Sequence, residues 1–279
     1  MTNIAALLGH PLGHSRSPGM HNAAFAHFAI DGRYELWDTP PESLAAHVAA
    51  LRQPHMFGAN VTLPYKRDVL PLLDRLDPLV EVVGAANTII READNSLTGA
   101  NTDVPAFLAA LREDAGFEPA GRRVVVLGAS GAARAAVAAL LEAHVASIVV
   151  INRTLERAEE LLGDALGNAD YDPEMLAFDG GDPEGPQAIA AAHLIVNATL
   201  LGWHGDETPL DGALIPPGIL VYDMVYRQTR LLREATARGA HTHDGLTMLA
   251  RQAALAFERW TGQAGALPIM LAALEREGV

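Results

Sequence analysis

A strand, a glycine-containing turn, a helix and a second strand follow one another directly between residues 122 and 153, and this succession constrains the fold more than any other feature of the chain. Arg122–Gly128 and Ser147–Arg153 are apolar runs typical of strands that are buried on both faces. Gly131–Ala143, which lies between them, is interpreted as a helix. Because a strand–helix–strand unit joins parallel strands, the chain is predicted to contain an α/β domain with a parallel sheet.

This domain is expected to extend to residue 244. Leu194–Thr199 and Leu220–Tyr226 are further strand candidates, and a predicted helix over Leu231–Arg238 ends at Gly239. Strands that alternate with helices bury both faces of a sheet. We therefore expect residues 104–244 to form a doubly wound, Rossmann-type domain.

The residues before 104 show a second α/β pattern. Apolar runs alternate with amphipathic stretches at Ile4–Gly9, Pro18–Ile30, Tyr34–Thr39, Glu42–Leu51 and Phe57–Thr62. Ala85–Glu92 and Ser96–Asn101 then form a predicted hairpin, which leads into a helix near Asp103. These elements indicate a separate N-terminal α/β domain over residues 1–103.

The end of the chain reads as helix. Helical patterns cover Leu246–Trp260 and Pro268–Glu277. Since terminal helices commonly pack on an earlier domain, we expect residues 245–279 to complete the domain of residues 1–103.

Composition excludes several classes of protein. The 279 residues carry 34 acidic and 20 basic side chains, and the formal charge of −14 disfavours binding to nucleic acid and to anionic membranes. The absence of cysteine excludes disulfides, thiolate metal sites and cysteine nucleophiles. Neither a basic signal-peptide segment nor an apolar run of about 18 residues is present. We expect a cytoplasmic protein with a small-molecule ligand, as a monomer or homodimer.

The turn of the βαβ unit predicts a dinucleotide site. Gly128-Ala129-Ser130-Gly131-Ala132 lies between the strand and the helix, where glycines let backbone N–H groups approach a pyrophosphate at a helix N-terminus. Ser130 occupies the second glycine position of the usual pattern and brings a Cβ towards the phosphates. An ordinary turn of small residues is the alternative interpretation.

The end of the next strand favours NADP over NAD. An acidic residue there would bond the ribose hydroxyl of NAD, whereas this chain has Asn152-Arg153-Thr154-Leu155-Glu156-Arg157. Arg153 and Arg157 are four residues apart and can flank one phosphate, with Thr154 and Asn152 as further hydrogen-bonding groups. A plain helix cap with solvated arginines is the alternative.

The N-terminal domain carries a set of polar residues and a unique lysine. Ser15 and Ser17 alternate before Pro18, although Ser17 also fits a helix cap. Asn60 and Thr62 share one face of a predicted strand, and Lys66 follows at a predicted helix start. Lys66 is the only lysine among the 20 basic residues. Lysine can exchange a proton, whereas arginine cannot, so Lys66 is a candidate acid–base group. The alternative is that Lys66 is an ordinary surface residue.

Together these stretches resemble the shikimate dehydrogenase family, whose enzymes reduce 3-dehydroshikimate with NADPH in aromatic amino-acid biosynthesis. The resemblance covers nearly the whole chain and rests on GHPLGHSRSPGMHNAAF, NVTLPYK, GAANT, GANTD, GASGAAR, NRTLER, NATLLG, YDMVY and GLTMLARQAALAFERWTG. One departure is Trp203, which stands where a methionine is common.

The resemblance implies roles for individual residues. Lys66 and Asp103 would be the catalytic acid–base pair, although Asp103 also fits the cap of the following helix. Substrate contacts would come from Ser15, Ser17, Asn60, Thr62, Lys66, Asn87, Asp103, Tyr226 and Gln252. NADP contacts would come from Gly128, Ala129, Ser130, Gly131, Ala132, Asn152, Arg153, Thr154, Arg157, Thr199, Met224 and Gly245.

No metal site is expected. Pro11 and Gly13 separate His10 from His14 and break the helical spacing that a metal-binding pair needs, and the pair His241 and His243 is interpreted as a solvated strand edge.

Three other functions remain open at this point. The first is a quinate or dual quinate/shikimate dehydrogenase, against which the paired serines stand. The second is a non-catalytic NADP-binding sensor, against which Lys66 and Asp103 stand. The third is a folate-type methylene dehydrogenase, which the GANTD stretch does not fit.

Overall fold

The computed structural model describes residues 2–13, 15–167 and 171–276. The chain divides into two compact units, Met1–Asp103 with Ala250–Val279, and Val104–Leu249. The division near the C-terminus falls at residue 250, inside a helix, rather than at 245. His14 and Glu277, which entered the sequence interpretation, lie outside the described residues. The predicted two-domain α/β fold is confirmed.

The first unit alternates strands and helices around one sheet. Its elements up to residue 103 are β1 (Asn3–Gly9), α1 (Ser17–His27), β2 (Gly32–Asp38), α2 (Leu44–Ala50), β3 (Met56–Val61), β4 (Arg75–Leu76), α3 (Pro78–Val83), β5 (Thr88–Arg91) and β6 (Leu97–Ala100). The strand order is β2-β1-β3-β5-β6-β4. β1 is parallel to β2 and β3, whereas β5 is antiparallel to β3 and β6 because β5 and β6 form the predicted hairpin.

The second unit is wound around a parallel sheet. Its elements begin with α4 (Asp103–Ala109), whose first residue, Asp103, belongs to the first unit and which continues as a π-helical turn at Ala110–Asp114. The following elements are β7 (Arg123–Leu127), α5 (Gly131–Glu142), β8 (Ser147–Ile151), α6 (Leu155–Leu166), β9 (Glu174–Phe178), α7 (Gly185–Ala191), β10 (Leu194–Asn197), β11 (Leu220–Asp223), α8 (Arg230–Ala237) and β12 (His241–His243). α9 (Leu246–Thr261) and α10 (Leu267–Arg276) end the chain.

The sheet of the second unit has the order β12-β11-β10-β7-β8-β9, and every neighbouring pair is parallel. The chain therefore starts in the middle at β7, winds outwards to β9, and returns to β10 beside β7. The loops after β7 and β10 leave the same edge of the sheet in opposite directions, which is where doubly wound sheets bind ligands.

The C-terminal helices complete the first unit through aromatic contacts. The Phe257 ring of α9 lies 5.0 Å from Phe25 and 5.9 Å from Phe28 of α1 and its end. Trp260 Nε1 donates to the carbonyl of Ile89 in β5 at 3.0 Å. Burial of these rings holds α9 against α1 and the sheet, since large aromatic side chains contribute much apolar area to a core.

The sequence interpretation missed β4, α3, β9 and α7 and made several strands too long. β9 escaped because it alternates exposed and partly buried residues at the edge of the sheet and begins with Glu174. Predicted helix Pro18–Ile30 ends at His27, because Ala29 adopts a positive φ of 53° that leaves the helical conformation. Within the part of the chain that is described, no helix is both long and apolar enough to cross a membrane.

Candidate active site

Lys66 and Asp103 form an enclosed ion pair in the first unit. Lys66 Nζ donates to Asp103 Oδ2 at 2.6 Å, and the two side chains are only 15% and 8% exposed. The pair therefore holds an ammonium group, which can donate a proton, next to a carboxylate that stabilises its charge. Such an arrangement can donate a proton to an oxygen that gains negative charge.

The backbone around this pair differs from the prediction in two respects. Lys66 lies in consecutive turns over residues 63–69 and not at the start of a helix. Asp103 is the first residue of α4, and its N–H donates to Asn101 Oδ1 at 3.0 Å. Asn101 therefore serves this helix start, and the carboxylate of Asp103 is directed to Lys66.

Asn87 fixes the carboxylate from the other side. Its Nδ2 donates to Asp103 Oδ1 at 2.8 Å and to Thr102 Oγ1 at 2.9 Å. Its Oδ1 accepts from the backbone of Thr102 at 2.8 Å and from Thr88 Oγ1 at 3.0 Å. Asp103 is thereby held by one charged and one neutral donor, each on its own oxygen.

A chain of hydrogen bonds continues from Asn87 to the loop after β1. Thr88 Oγ1 accepts from Asn60 Nδ2 at 3.2 Å, and Asn60 Oδ1 accepts from the Tyr34 hydroxyl at 2.8 Å. Burial raises the pKa of Tyr34 while a hydrogen bond with Ser17 opposes the rise. These contacts connect Ser17, Asn60 and Asn87 with the Lys66–Asp103 pair.

A buried histidine packs against Tyr34, which belongs to this series of hydrogen bonds. The His21 ring stacks on Tyr34 with a centroid distance of 4.2 Å and an interplanar angle of 2°. Burial lowers the pKa of His21 to about 3, so the ring is neutral at physiological pH. His21 thus acts as a packing group that orients Tyr34.

Ser15, Ser17 and Thr62 are the other predicted substrate residues of the first unit, and each has a local structural contact. α1 begins at Ser17, and the Ser17 N–H donates to Ser15 Oγ at 3.2 Å, so Ser17 is not the cap of the helix. Thr62 follows β3, and its N–H donates to the carbonyl of Leu8 at 2.9 Å. A Cβ on Gly9 would lie 2.4 Å from the Thr62 methyl, which explains the glycine at this position.

The glycine turn of the second unit has the backbone that a close approach requires. Gly128 has a φ of 103°, and a Cβ there would lie 2.9 Å from the Thr199 methyl. Ser130 caps α5 by accepting from the N–H groups of Ala132 and Ala133, and its hydroxyl donates to the carbonyl of Ala198 at 2.9 Å. Ser130 is therefore occupied by the turn itself, an outcome that the sequence did not predict.

A pair of exposed cations lies at the end of β8. Arg153 and Arg157 are exposed, and neither contacts a carboxylate within residues 2–13, 15–167 and 171–276. Asn152 Nδ2 donates to the carbonyl of Thr154 at 2.8 Å, and the Thr154 side chain makes no cap to α6. Two such guanidinium groups near one helix start fit a phosphate.

The remaining predicted residues are divided between the two units. A Cβ on Gly245 would lie 2.2 Å from the carbonyl oxygen of Met224, so only glycine fits there. The half-buried Tyr226 meets the Trp203 ring edge to face at 4.6 Å and 80°. Gln252 belongs to the first unit, on α9.

Sequence reasoning missed several buried polar residues. Thr88 and Thr102 stand directly after Asn87 and Asn101 in the GAANT and GANTD stretches, so the motifs contained a usable signal. Tyr34 had none, because its partners are distant in sequence. No cluster of three or more possible metal ligands occurs in the described part of the chain.

These features fit a bound NADP(H) molecule. Gly128 gives a tight turn with a φ of 103° before the N-terminus of α5, and Arg153 with Arg157 offers exposed positive charge. The turn and the arginines lie after the adjacent parallel strands β7 and β8, at one edge of the sheet.

Family models match most of the chain. Residues 7–89 match the substrate binding domain of shikimate dehydrogenase, residues 111–199 match shikimate/quinate 5-dehydrogenase, and residues 245–275 match the C-terminal domain of shikimate 5'-dehydrogenase.

Whole proteins match as well. The shikimate dehydrogenase (NADP(+)) of Moorella thermoacetica is 46% identical over 273 residues, which cover 96% of this chain and 91% of that protein. The crystal structure of shikimate 5-dehydrogenase from Thermus thermophilus in complex with NADP(H) and shikimate has a TM-score of 0.86 at 39% identity, and each chain is covered to 99%. Quinate dehydrogenase from Corynebacterium glutamicum in complex with NAD has a TM-score of 0.87 at 31% identity, again with 99% of both chains covered.

Proposed function

The chain belongs to the shikimate dehydrogenase family, and from this premise we propose that it catalyses the reversible, NADPH-dependent reduction of 3-dehydroshikimate to shikimate. Lys66 and Asp103 act as the acid–base pair. The proposal places the protein in aromatic amino-acid biosynthesis, in the cytoplasm. The observation that carries it is the buried 2.6 Å contact between the only lysine and a carboxylate that Asn87 holds in place.

The pair supplies the proton that the reduction consumes. NADPH, when bound, supplies the hydride to the carbonyl carbon of the substrate. Lys66 in its ammonium form donates a proton to the carbonyl oxygen as negative charge develops there. In the reverse direction the neutral amine accepts the proton of the hydroxyl. Asp103 stabilises the ammonium and keeps its N–H bonds oriented.

The polar chain of the first unit serves the substrate. Shikimate carries three hydroxyl groups and a carboxylate, and recognising them requires many fixed donors and acceptors. Ser15, Ser17, Asn60, Thr62, Asn87, Tyr226 and Gln252 are proposed to supply them, together with Lys66 and Asp103. The bonds through Tyr34 and Thr88 fix the amide of Asn60 before the substrate arrives, which lowers the entropic cost of binding.

The second unit holds the cofactor in this proposal. Gly128, Ala129, Ser130, Gly131 and Ala132 form the pyrophosphate turn at the N-terminus of α5. The 2'-phosphate is bound by Arg153 and Arg157, with Asn152 and Thr154 beside them. Thr199, Met224 and Gly245 follow β10, β11 and β12 at the same end of the sheet and are proposed as further cofactor contacts.

Steady-state kinetics of two variants test the acid–base assignment. Lys66→Met and Asp103→Asn are expected to lower kcat by about 10²–10⁴-fold, the usual contribution of a positioned acid or base. The KM for NADP⁺ is expected to stay near that of the wild type, because neither residue touches the cofactor.

Asp74→Asn is the matched control. Like Asp103, Asp74 is an aspartate of the first unit that forms an ion pair with a basic side chain. Its partner is Arg52, and this ion pair is exposed. Its removal is expected to leave kcat unchanged. If Lys66→Met retained the wild-type kcat, the acid–base role would be lost. If the wild type turned over quinate with NAD⁺ instead of shikimate with NADP⁺, the substrate assignment would be lost.

A further inference from the structure

A fully buried carboxylate lies at the carboxyl-terminal end of the parallel strands, where the proposed cofactor residues also lie. Asp223 ends β11 and Asn197 ends β10, and the two residues are direct partners in the parallel register. Leu127, the last residue of β7, is the partner of Asn197 on its other side. Asp223 and Asn197 are both 0% exposed. The reaction derived above does not use either side chain.

Three donors converge on the carboxylate of Asp223. Its Oδ1 accepts from Asn197 Nδ2 at 2.8 Å and from the Val225 N–H at 3.0 Å. Its Oδ2 accepts from the Thr229 hydroxyl at 2.6 Å. An ionised carboxylate accepts all three bonds, and its two oxygens hold donors from the end of β10 and from the loop after β11.

The amide of Asn197 passes this constraint to the next loop. Asn197 Oδ1 accepts from the Thr199 N–H at 2.9 Å and from the Thr199 hydroxyl at 2.7 Å. The Nδ2 bond to Asp223 fixes the direction of the amide, so Oδ1 must face Thr199. Thr199 Oγ1 then accepts from the Leu201 N–H at 3.1 Å.

Close packing extends the constraint to the glycine turn. The Thr199 methyl lies 2.9 Å from the position of a Cβ on Gly128, and Ser130 donates to Ala198 in the same loop. On the other side, Gly202 lies as near to Thr229, with a Cβ position 2.9 Å from the Thr229 methyl. The loops after β7, β10 and β11 therefore share one buried anchor.

We propose that Asp223 is a positioning residue for the cofactor, whose carboxylate holds the loops after β10 and β11 and thereby sets the affinity for NADP. The inference rests on the proposed function, because it assigns NADP to this edge. Asp223 touches neither substrate nor cofactor in this role. It acts through Asn197 and Thr199.

Binding of NADP⁺ to purified protein, measured by isothermal titration calorimetry, tests the proposal. Asp223→Ala leaves three buried donors without an acceptor and is expected to raise the Kd for NADP⁺ about tenfold or more. Asp223→Asn keeps an oxygen for Asn197 and Val225 and turns its amide towards Thr229, so a Kd within about threefold of wild type is expected. The KM for shikimate is expected to change less than the KM for NADP⁺ in both variants.

Hydrogen exchange of the ligand-free protein gives a second, activity-independent measurement. Asp223→Ala is expected to accelerate exchange at the amides of residues 197–203 and 223–229, while those of β7 and β8 stay protected. Asp211→Ala is the matched control, because it removes an exposed aspartate that caps the turn at Gly212 in the same unit. The Kd for NADP⁺ should be unaffected by this control.

If Asp223→Ala does not fold, Thr229→Val replaces it, since this change removes one of the three donors at nearly constant volume. An unchanged Kd in whichever of these variants folds overturns the proposal. An Asp223→Asn variant that is as weak as Asp223→Ala also overturns it, because the hydrogen-bond acceptors would then not be what matters. If the affinity for NADP⁺ falls in Asp223→Ala while the wild type turns over no shikimate, this inference is supported and the proposed function is refuted.

Discussion

Replacement of Asp223 by asparagine is expected to change how the stability of the protein depends on pH. Burial, with a smaller contribution from the charge of Asp244, raises the pKa of Asp223 to about 6 in the folded chain, although three hydrogen bonds oppose the rise. In an unfolded chain an aspartate has a pKa of about 3.9. The folded state therefore binds the proton more tightly, and the ionised carboxylate weakens the fold relative to the protonated one.

The sign and size of the effect follow from this difference. The contribution of Asp223 to stability is fully present below about pH 4 and is lost as the pH rises through about 6. The two pKa values differ by about 2, which corresponds to about 3 kcal/mol in the free energy of unfolding. Asparagine binds no proton. The free energy of unfolding of Asp223→Asn minus that of the wild type should therefore increase by about 2 kcal/mol between pH 4 and pH 7, which is the larger part of the full effect.

Urea unfolding followed by circular dichroism, at half-unit steps from pH 4 to pH 7.5, measures this difference. All other titrating groups are common to both proteins, so their effects cancel in the subtraction. Leu140→Val, which alters the core of the same unit at a residue that is 0% exposed, removes no titrating group and should differ from the wild type equally at every pH. A difference for Asp223→Asn that stays constant over the whole range would show that folding does not raise the pKa of Asp223.

Three further predictions concern the two proposed binding regions. Replacing both Arg153 and Arg157 by alanine should raise the KM for NADP⁺ about tenfold or more and leave the KM for NAD⁺ unchanged, because only NADP⁺ carries the 2'-phosphate; equal loss for both cofactors in steady-state assays would contradict this. Gly128→Ala should weaken NADP⁺ binding in calorimetry by about tenfold, since alanine at a φ of 103° is strained and its Cβ meets Thr199. Tyr34→Phe should raise the KM for shikimate and lower the free energy of unfolding by about 1–3 kcal/mol through the lost bond to Asn60, with the KM for NADP⁺ as the internal control.

Much of the fold was predictable because its signals are local. The strands β7 and β8 are continuous apolar runs, and the turn at Gly128 stands between β7 and a helix, so sequence order alone indicated the parallel unit. β9 was not predictable in this way. Its five residues gain their strand conformation from pairing with β8 along the full length of both strands, and that contact has no local signature.

The site divides along the same line. Lys66 drew attention as the only lysine, and its partner came from the family motif that contains Asp103. The local backbone was harder to predict. Lys66 lies in turns and not at a helix start, and the side chain that caps α4 is Asn101 and not Asp103. A capping side chain is chosen by geometry at one helix start, which sequence spacing does not resolve.

The buried network at Asp223 was the feature least predictable from the sequence. Asn197 and Asp223 are 26 residues apart and meet only because β10 and β11 are neighbours in register. A single aspartate after an apolar run is an ordinary strand end when it is read from sequence. Only the sheet shows that three donors converge on it, one from the end of β10 and two from the loop after β11.

The proposed activity is tested most directly by the absorbance of reduced nicotinamide in a two-by-two panel of purified protein, with shikimate or quinate as substrate and NADP⁺ or NAD⁺ as cofactor. Lys66→Met is assayed beside the wild type. A strong signal is expected for shikimate with NADP⁺, with a weak one or none in the other three combinations and loss of the signal in the variant. No turnover in any combination by a protein that binds NADP⁺, or a signal in Lys66→Met equal to that of the wild type, would contradict it.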